Sequence, residues 1–173
     1  AQQNDSISFA LPGPISVTGS LYIPDKSLAI GTAQSSHATL AGDGSDRLFF
    51  LAGATGPFSF SNLRLTGGNG YTGGAVSAPD KALVFQTAMN VFSNIASGDG
   101  GGVYVTGGNA HIGDGTSFTQ NQAAVSGGGF YLQTGSLVAG NGVSVSGNTA
   151  QTGGGGWVSQ SVQAGNSVSI LNN

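Results

Sequence analysis

Apolar and polar residues alternate in short runs along this chain: Val103-Tyr104-Val105, Phe130-Tyr131-Leu132, Val143-Ser144-Val145 and Val168-Ser169-Ile170. A period of two sends successive side chains to opposite faces of a strand, so each run predicts a short strand with one buried face. Clusters of Gly, Asn, Ser and Asp interrupt the runs every four to eight residues, which is turn chemistry. Few windows place apolar residues at i, i+3 and i+4 without an intervening glycine, so no helix is predicted. Residues 1–68 carry similar pieces at less regular spacing, among them Ser6-Ile7-Ser8-Phe9, Leu21-Tyr22-Ile23 and Leu48-Phe49-Phe50-Leu51.

The runs recur at a fixed step. Asn94, Asn121 and Asn148 lie 27 residues apart, with Val91, Phe118 and Val145 three residues before them. Nine residues after each comes Val103, Phe130 or Trp157, and each of these follows a glycine run. A first unit, from residue 69 to 93, carries Gly73-Gly74-Ala75-Val76, and the last ends in Ile170-Leu171-Asn172-Asn173, which repeats the apolar-x-x-Asn signal two residues early. Self-similarity at constant step means one structural unit stacked on copies of itself. Three short strands in 25–27 residues match one coil of a parallel β-helix. An antiparallel sandwich also uses many short strands, but it gives like residues no reason to recur in register. The expected layout is one domain over 1–173, with a cap at 1–20, irregular coils at 21–68 and regular repeats at 69–173. The prolines Pro12, Pro14, Pro24 and Pro57 fall in the first two parts.

Stacked coils predict ladders. Asn94, Asn121 and Asn148 should form a buried amide ladder that satisfies turn backbone groups. Val103, Phe130 and Trp157 should form an inward stack, with Val105, Leu132 and Ser159 beside it and the small Ser159 compensating the large Trp157. Tyr104 and Tyr131 should point outward, one above the other, where sugar rings can bind. Ser117, Ser144 and Ser169 fall in register as a polar stripe.

Composition changes the picture at three points. Charged residues are 6% of the chain against about 25% in ordinary domains, and glutamate is absent. With 38% apolar residues and a net charge of −3, the chain lacks the high charge and low hydrophobicity of disorder. The basic residues Lys26, Arg47, Arg64 and Lys81 form no patch that could neutralise phosphates, which argues against nucleic acid. No apolar run approaches the ~20 residues of a transmembrane helix, and without cysteine there is no disulfide framework. The start, Ala1-Gln2-Gln3, reads as an end left by signal peptidase and points to secretion.

Gly73-Gly74-Ala75-Val76 and Phe118-Thr119-Gln120-Asn121 resemble the alternating GGA-aliphatic and FxxN motifs of the polymorphic outer-membrane proteins of chlamydiae and related bacterial surface proteins. The resemblance covers residues 69–173, with a looser likeness over 4–68 to the lead-in of such proteins. The other units read Gly-Gly-Gly, and Val91, Val145 and Ile170 replace the motif phenylalanine. The resemblance implies a right-handed parallel β-helix exposed outside the cell and used in adhesion or surface structure.

Candidate chemistry is sparse. The aspartates Asp5, Asp25, Asp43, Asp46, Asp80, Asp99 and Asp114 build no carboxylate ladder, since Asp99 aligns with Ser126 and Gly153. His37 and His111 are isolated. No catalytic, metal-binding or cofactor-binding residue is therefore expected. The densest polar cluster, residues 43–47, reads as a solvated turn. The leading expectation is a non-enzymatic extracellular β-solenoid with a structural or adhesive role and a host-surface or glycan ligand. Its assembly end is Val168, Ile170, Leu171 and Asn173, which lacks charge and proline and should dock head-to-tail on another copy. The extreme N-terminus could add a strand to that open edge. The rivals are a carbohydrate-binding or carbohydrate-active β-helix using the outward tyrosines and the 43–47 turn, and a passenger fragment of a larger adhesin.

Overall fold

A computed structural model describes residues 5–9, 13–23, 28–32, 37–51 and 58–173. Pro12, Pro24, Pro57, Asp25, Lys26 and the extreme N-terminus lie outside the described residues. Those described are all-β, with no helix and hence none long and apolar enough to cross a membrane.

The chain winds repeatedly through three parallel sheets. Sheet A stacks β1 (Asp5–Ser8), β4 (Leu28–Gly31), β7 (Phe58–Ser61), β11 (Leu83–Phe85), β15 (Ala110–Ile112), β19 (Leu137–Ala139) and β22 (Val162–Ala164). Sheet B stacks β2 (Ile15–Val17), β5 (Ala38–Gly42), β8 (Leu63–Thr66), β12 (Asn90–Phe92), β16 (Ser117–Thr119), β20 (Ser144–Ser146) and β23 (Ser169–Leu171). Sheet C stacks β3 (Leu21–Ile23), β6 (Phe49–Leu51), β10 (Val76–Ala78), β14 (Val103–Val105), β18 (Phe130–Leu132) and β21 (Gly156–Val158). A narrow fourth sheet, D, joins β9 (Asn69–Gly70), β13 (Ile95–Ala96) and β17 (Gln122–Ala123) at the corner between B and C. The molecule is a parallel β-solenoid of about six coils, as the repeat predicts.

Register shows why the second half looked periodic and the first did not. Leu83, Ala110 and Leu137 stand directly above one another at steps of 27 residues, whereas Asp5 to Leu28 is 23 and Leu28 to Phe58 is 30. The longer and shorter steps lie in the connections between strands, so the sheets run on unbroken. The segment expected as a cap contributes β1 and β2, which pair with β4 and β5 as ordinary coil strands.

Alternation along each strand fills the interior with vertical columns. On sheet B one column runs Leu40, Leu65, Val91, Phe118, Val145 and Ile170. On sheet A another runs Ile30, Phe60, Phe85, Ile112 and Ala139. Phenylalanine rings connect the columns across the core: Phe49–Phe60 at 5.1 Å, Phe60–Phe85 at 5.7 Å, Phe85–Phe118 at 6.0 Å and Phe118–Phe130 at 5.6 Å. Such ring pairs contribute roughly 0.5–1.5 kcal/mol each beyond simple burial.

The expected stack of Val103, Phe130 and Trp157 is corrected at its last member. Val103 pairs with Phe130, but Phe130 pairs with Gly156, and Trp157 sits over Tyr131 on the outer face. The cause is one missing residue in the last corner. The paired positions Gln122 and Ser126 match Thr149 and Thr152, so counting from Asn148 runs one residue ahead of the strand. The same slip puts Val158, not Ser159, beside Leu132, and Thr152, not Gly153, in line with Ser126. The Phe130 ring spreads into the space that a side chain at Gly156 would fill.

Phe118→Ala should cost about 3–5 kcal/mol in denaturant melts, because a fully buried ring touching two others leaves a cavity. His111→Ala, on the exposed face of β15, should stay within ~0.5 kcal/mol. Equal losses would place the core on the wrong strand face.

Candidate functional site

The corner after sheet B carries the asparagine ladder. Asn94, Asn121 and Asn148 are at most 1% exposed. The Asn94 backbone N–H and side-chain Nδ2 both donate to Asn121 Oδ1, at 3.1 and 3.0 Å. Asn121 donates in the same way to Asn148 Oδ1 at 2.9 and 3.0 Å. Each Nδ2 also donates one coil back along the rod, from Asn94 to the Leu65 carbonyl, Asn121 to Val91 and Asn148 to Phe118. One amide per coil thereby satisfies backbone groups on two neighbouring coils. At the early end Gly68 N–H donates to Asn94 Oδ1 at 3.0 Å. At the late end Asn173 takes the next position: its Oδ1 accepts from Asn148 N and Nδ2 at 3.0 and 2.9 Å, and its Nδ2 donates to the Val145 carbonyl. The step to Asn173 is 25 residues instead of 27, which hid this fourth rung behind its reading as an assembly residue.

The glycine runs follow at the next corner. Gly73, Gly100, Gly127 and Gly153 all have φ between 61° and 69°, where a side chain is strained. In the first three runs the next glycine lies against a glycine carbonyl of the following coil, as Gly101 does against Gly128, so even a methyl group would collide. These runs are turn and contact positions with no helix beyond them.

At the C-terminal end the columns stop without a lid. Ile170 continues the buried Val91–Phe118–Val145 column yet is 64% exposed, and Val162 continues the buried Leu83–Ala110–Leu137 column of sheet A yet is 57% exposed. Leu171 is 59% exposed, while Val168 is half-buried against the core. A cavity of about 460 Å³ opens there, walled by Phe130, Ala139, Val145, Val158, Ile170 and Asn173 among others. β21, β22 and β23 each have one strand neighbour, so their outer edges carry unpaired N–H and C=O groups. Among the described residues the first coil mirrors this: β1, β2 and β3 also have single neighbours, and Ile7 and Leu21 are exposed.

The outer face of sheet C holds a second concentration of large side chains. Tyr22, Phe50, Ser77, Tyr104, Tyr131 and Trp157 form one column in register. Tyr104 and Tyr131 stack at 5.5 Å and 3°, and Tyr131 and Trp157 at 4.7 Å and 13°. Burial raises both tyrosine pKa values above the ordinary 10.0, and the neighbouring Tyr131 and Asp99 raise that of Tyr104 further. Ser77 interrupts the column and is buried beside the Thr72 hydroxyl. The 43–47 turn is exposed at Asp43, whose carboxylate accepts from the Ser45 hydroxyl and backbone N–H and is held below the usual range by those bonds.

The remaining polar candidates stay apart. His37 Nε2 lies 2.7 Å from the Ala88 carbonyl, and His111 is exposed on β15. Among the described residues no three His or Asp side chains converge as metal ligands. Ser117, Ser144 and Ser169 do stand in register, below Arg64 and Asn90 in the same column. The site defined by the fold is thus an uncovered solenoid end beside an aromatic flank. No protein-family model, curated protein or solved structure matches the chain.

Asn121→Ala should destabilise by about 1–3 kcal/mol, since it strands the Asn94 N–H and the Val91 carbonyl inside the rod. Asn90→Ala should cost less than ~0.5 kcal/mol, because Asn90 Oδ1 is without a partner. Equal losses would refute the ladder.

The raised tyrosine pKa values make a separate prediction. The fold favours the neutral phenols, so their contribution is fully present below the unfolded value near 10 and is lost as pH rises through the folded values. Melting curves should show this alkaline fall in the wild type and a shallower one in Tyr104→Phe/Tyr131→Phe.

Proposed function

We propose that this protein is a non-enzymatic, extracellular structural or adhesive β-solenoid that self-assembles head-to-tail. The observation that carries the proposal is the apolar mouth at the last coil, where core-column residues Val162 and Ile170 stand in solvent around a cavity of about 460 Å³. Burying an exposed aliphatic side chain of this size stabilises a contact by roughly 1.5–3 kcal/mol. Its occupant is the first coil of a second copy. Among the described residues that coil presents the same three sheets with edges that have no strand partner, and it carries exposed Ile7 and Leu21. One copy's end meeting another's start is a heterologous contact, and it propagates without closing.

Location outside the cell rests on the charge-poor, Ser/Thr/Asn/Gln-rich surface and on the resemblance of residues 69–173 to chlamydial surface-protein repeats. In a longer passenger rod, further coils would occupy the same mouth in place of a second copy.

Ile170→Lys/Leu171→Lys should abolish assembly while leaving the β-sheet circular dichroism intact, because both side chains are exposed in the single subunit. Light scattering should show concentration-dependent multimers of the wild type and a monomeric double variant. A wild type that stays monomeric at high concentration would defeat self-assembly and leave the passenger reading.

A further inference from the structure

A recess of about 240 Å³ lies on the flank of the first two coils, lined by Ser20, Tyr22, Asp46, Arg47 and Phe50. Its floor is aromatic: the Tyr22 and Phe50 rings are 5.8 Å apart and tilted by 39°, and Tyr22 is 60% exposed. The tilt separates this pair from the Tyr104–Tyr131–Trp157 column, whose near-parallel rings stack so that both faces of Tyr131 are covered. An open aromatic face is therefore available at Tyr22.

The polar groups around the floor are underused. The Arg47 guanidinium rests over the Phe50 ring at 5.2 Å, and its Nε makes a long 3.4 Å contact with Asp46 Oδ1. Among the described residues its Nη groups make no hydrogen bond, and its side chain is 18% exposed. Stacking thus holds a planar fork of donors in place with no acceptor among the described residues beyond the long Asp46 contact. Ser20 Oγ is buried and has no hydrogen-bond partner, and leaving a buried polar atom unpaired costs stability. The Asp46 side chain, 45% exposed, offers acceptors beside the Arg47 donors.

We infer that this recess binds one residue of a neutral oligosaccharide built from all-equatorial pyranoses. An equatorial pyranose has two faces of axial C–H bonds, which suit an exposed aromatic ring, and a rim of vicinal hydroxyls. Those hydroxyls both donate and accept, so they match an adjacent carboxylate and guanidinium together with the Ser20 hydroxyl. Among the described residues the lining carries one carboxylate, Asp46, and one guanidinium, Arg47, so it has no net positive charge to draw a uronate or an acidic peptide. Few convergent polar groups over an apolar floor is the usual composition of a small-ligand site. The recess opens on the flank, but Tyr22 lies on β3 at the edge proposed to meet another copy, so binding is measured below the concentration at which assembly sets in.

The test is titration of the ¹⁵N-labelled full chain with cellotetraose, with tetragalacturonate and a tetraglutamate peptide in parallel. Trp157, the single tryptophan, reports separately on the other aromatic surface. Cellotetraose should shift the amide signals of Ser20, Tyr22, Arg47 and Phe50 and leave Trp157 emission unchanged. Tyr22→Ala and Arg47→Gln should each weaken binding about 10-fold or more. Ser20→Ala should weaken it several-fold without lowering the melting temperature, since its hydroxyl has no partner to lose. The inference is overturned if cellotetraose shifts none of these signals or if either anionic probe binds more tightly. It is overturned equally if Ser20→Ala and Arg47→Gln both bind as the wild type does.

Discussion

Backbone amides at a tight corner inside a solenoid must find partners without water, and from Asn94 onward one asparagine side chain per coil supplies them. The rest of the rod depends on that arrangement. The Asn121 amide accepts twice from Asn94, donates to Asn148 and reaches back to the Val91 carbonyl, so it ties three coils at one point. A buried amide is tolerable only when its capacity is filled, which demands a like residue at the same place on the next coil. The ladder thereby sets the vertical register of sheet B. Columns such as Leu65, Val91, Phe118 and Val145 follow from it.

Much of this architecture was readable in the chain because equivalent positions in a stack feel equivalent environments. The 27-residue step, the ladder, the outward tyrosines and the Ser117–Ser144–Ser169 column all rest on that equivalence. Trp157 was misplaced because register was counted from Asn148, whereas the strand is anchored by the glycine turn. Gly127 and Gly153 share positive φ values of 65° and 61°, and counting from them places Trp157 above Tyr131. Asn173 as a fourth rung was obscured by a similar two-residue shortening. The 43–47 turn stood out in the chain, but its meeting with Tyr22 and Phe50 in one recess was not legible. The members of the recess belong to coils with irregular steps, so no periodicity brings them together before the fold does.

The side and the end of the rod divide the functional questions between them. The flanks are polar with few charges, and they carry aromatic groups in two different states. Tyr104, Tyr131 and Trp157 are mutually stacked and serve one another, while Tyr22 keeps an open face beside underused polar groups. The end is different in kind. Core positions run on into solvent there, so the surface at Ile170 and Val162 is an interior without its next layer. The proposed head-to-tail stacking would cover that apolar surface and pair the open strand edges together.

Electron microscopy of the concentrated wild-type protein tests the central claim most directly, because coil stacking across subunits sets a length scale. Seven strands in sheets A and B at a spacing of about 4.8 Å give a subunit roughly 34 Å long. The account predicts unbranched filaments one solenoid wide, with a layer spacing near 4.8 Å along the axis and an axial subunit repeat of about that length. Separate short rods of one subunit's length, with no end-to-end contact at any concentration, would contradict it.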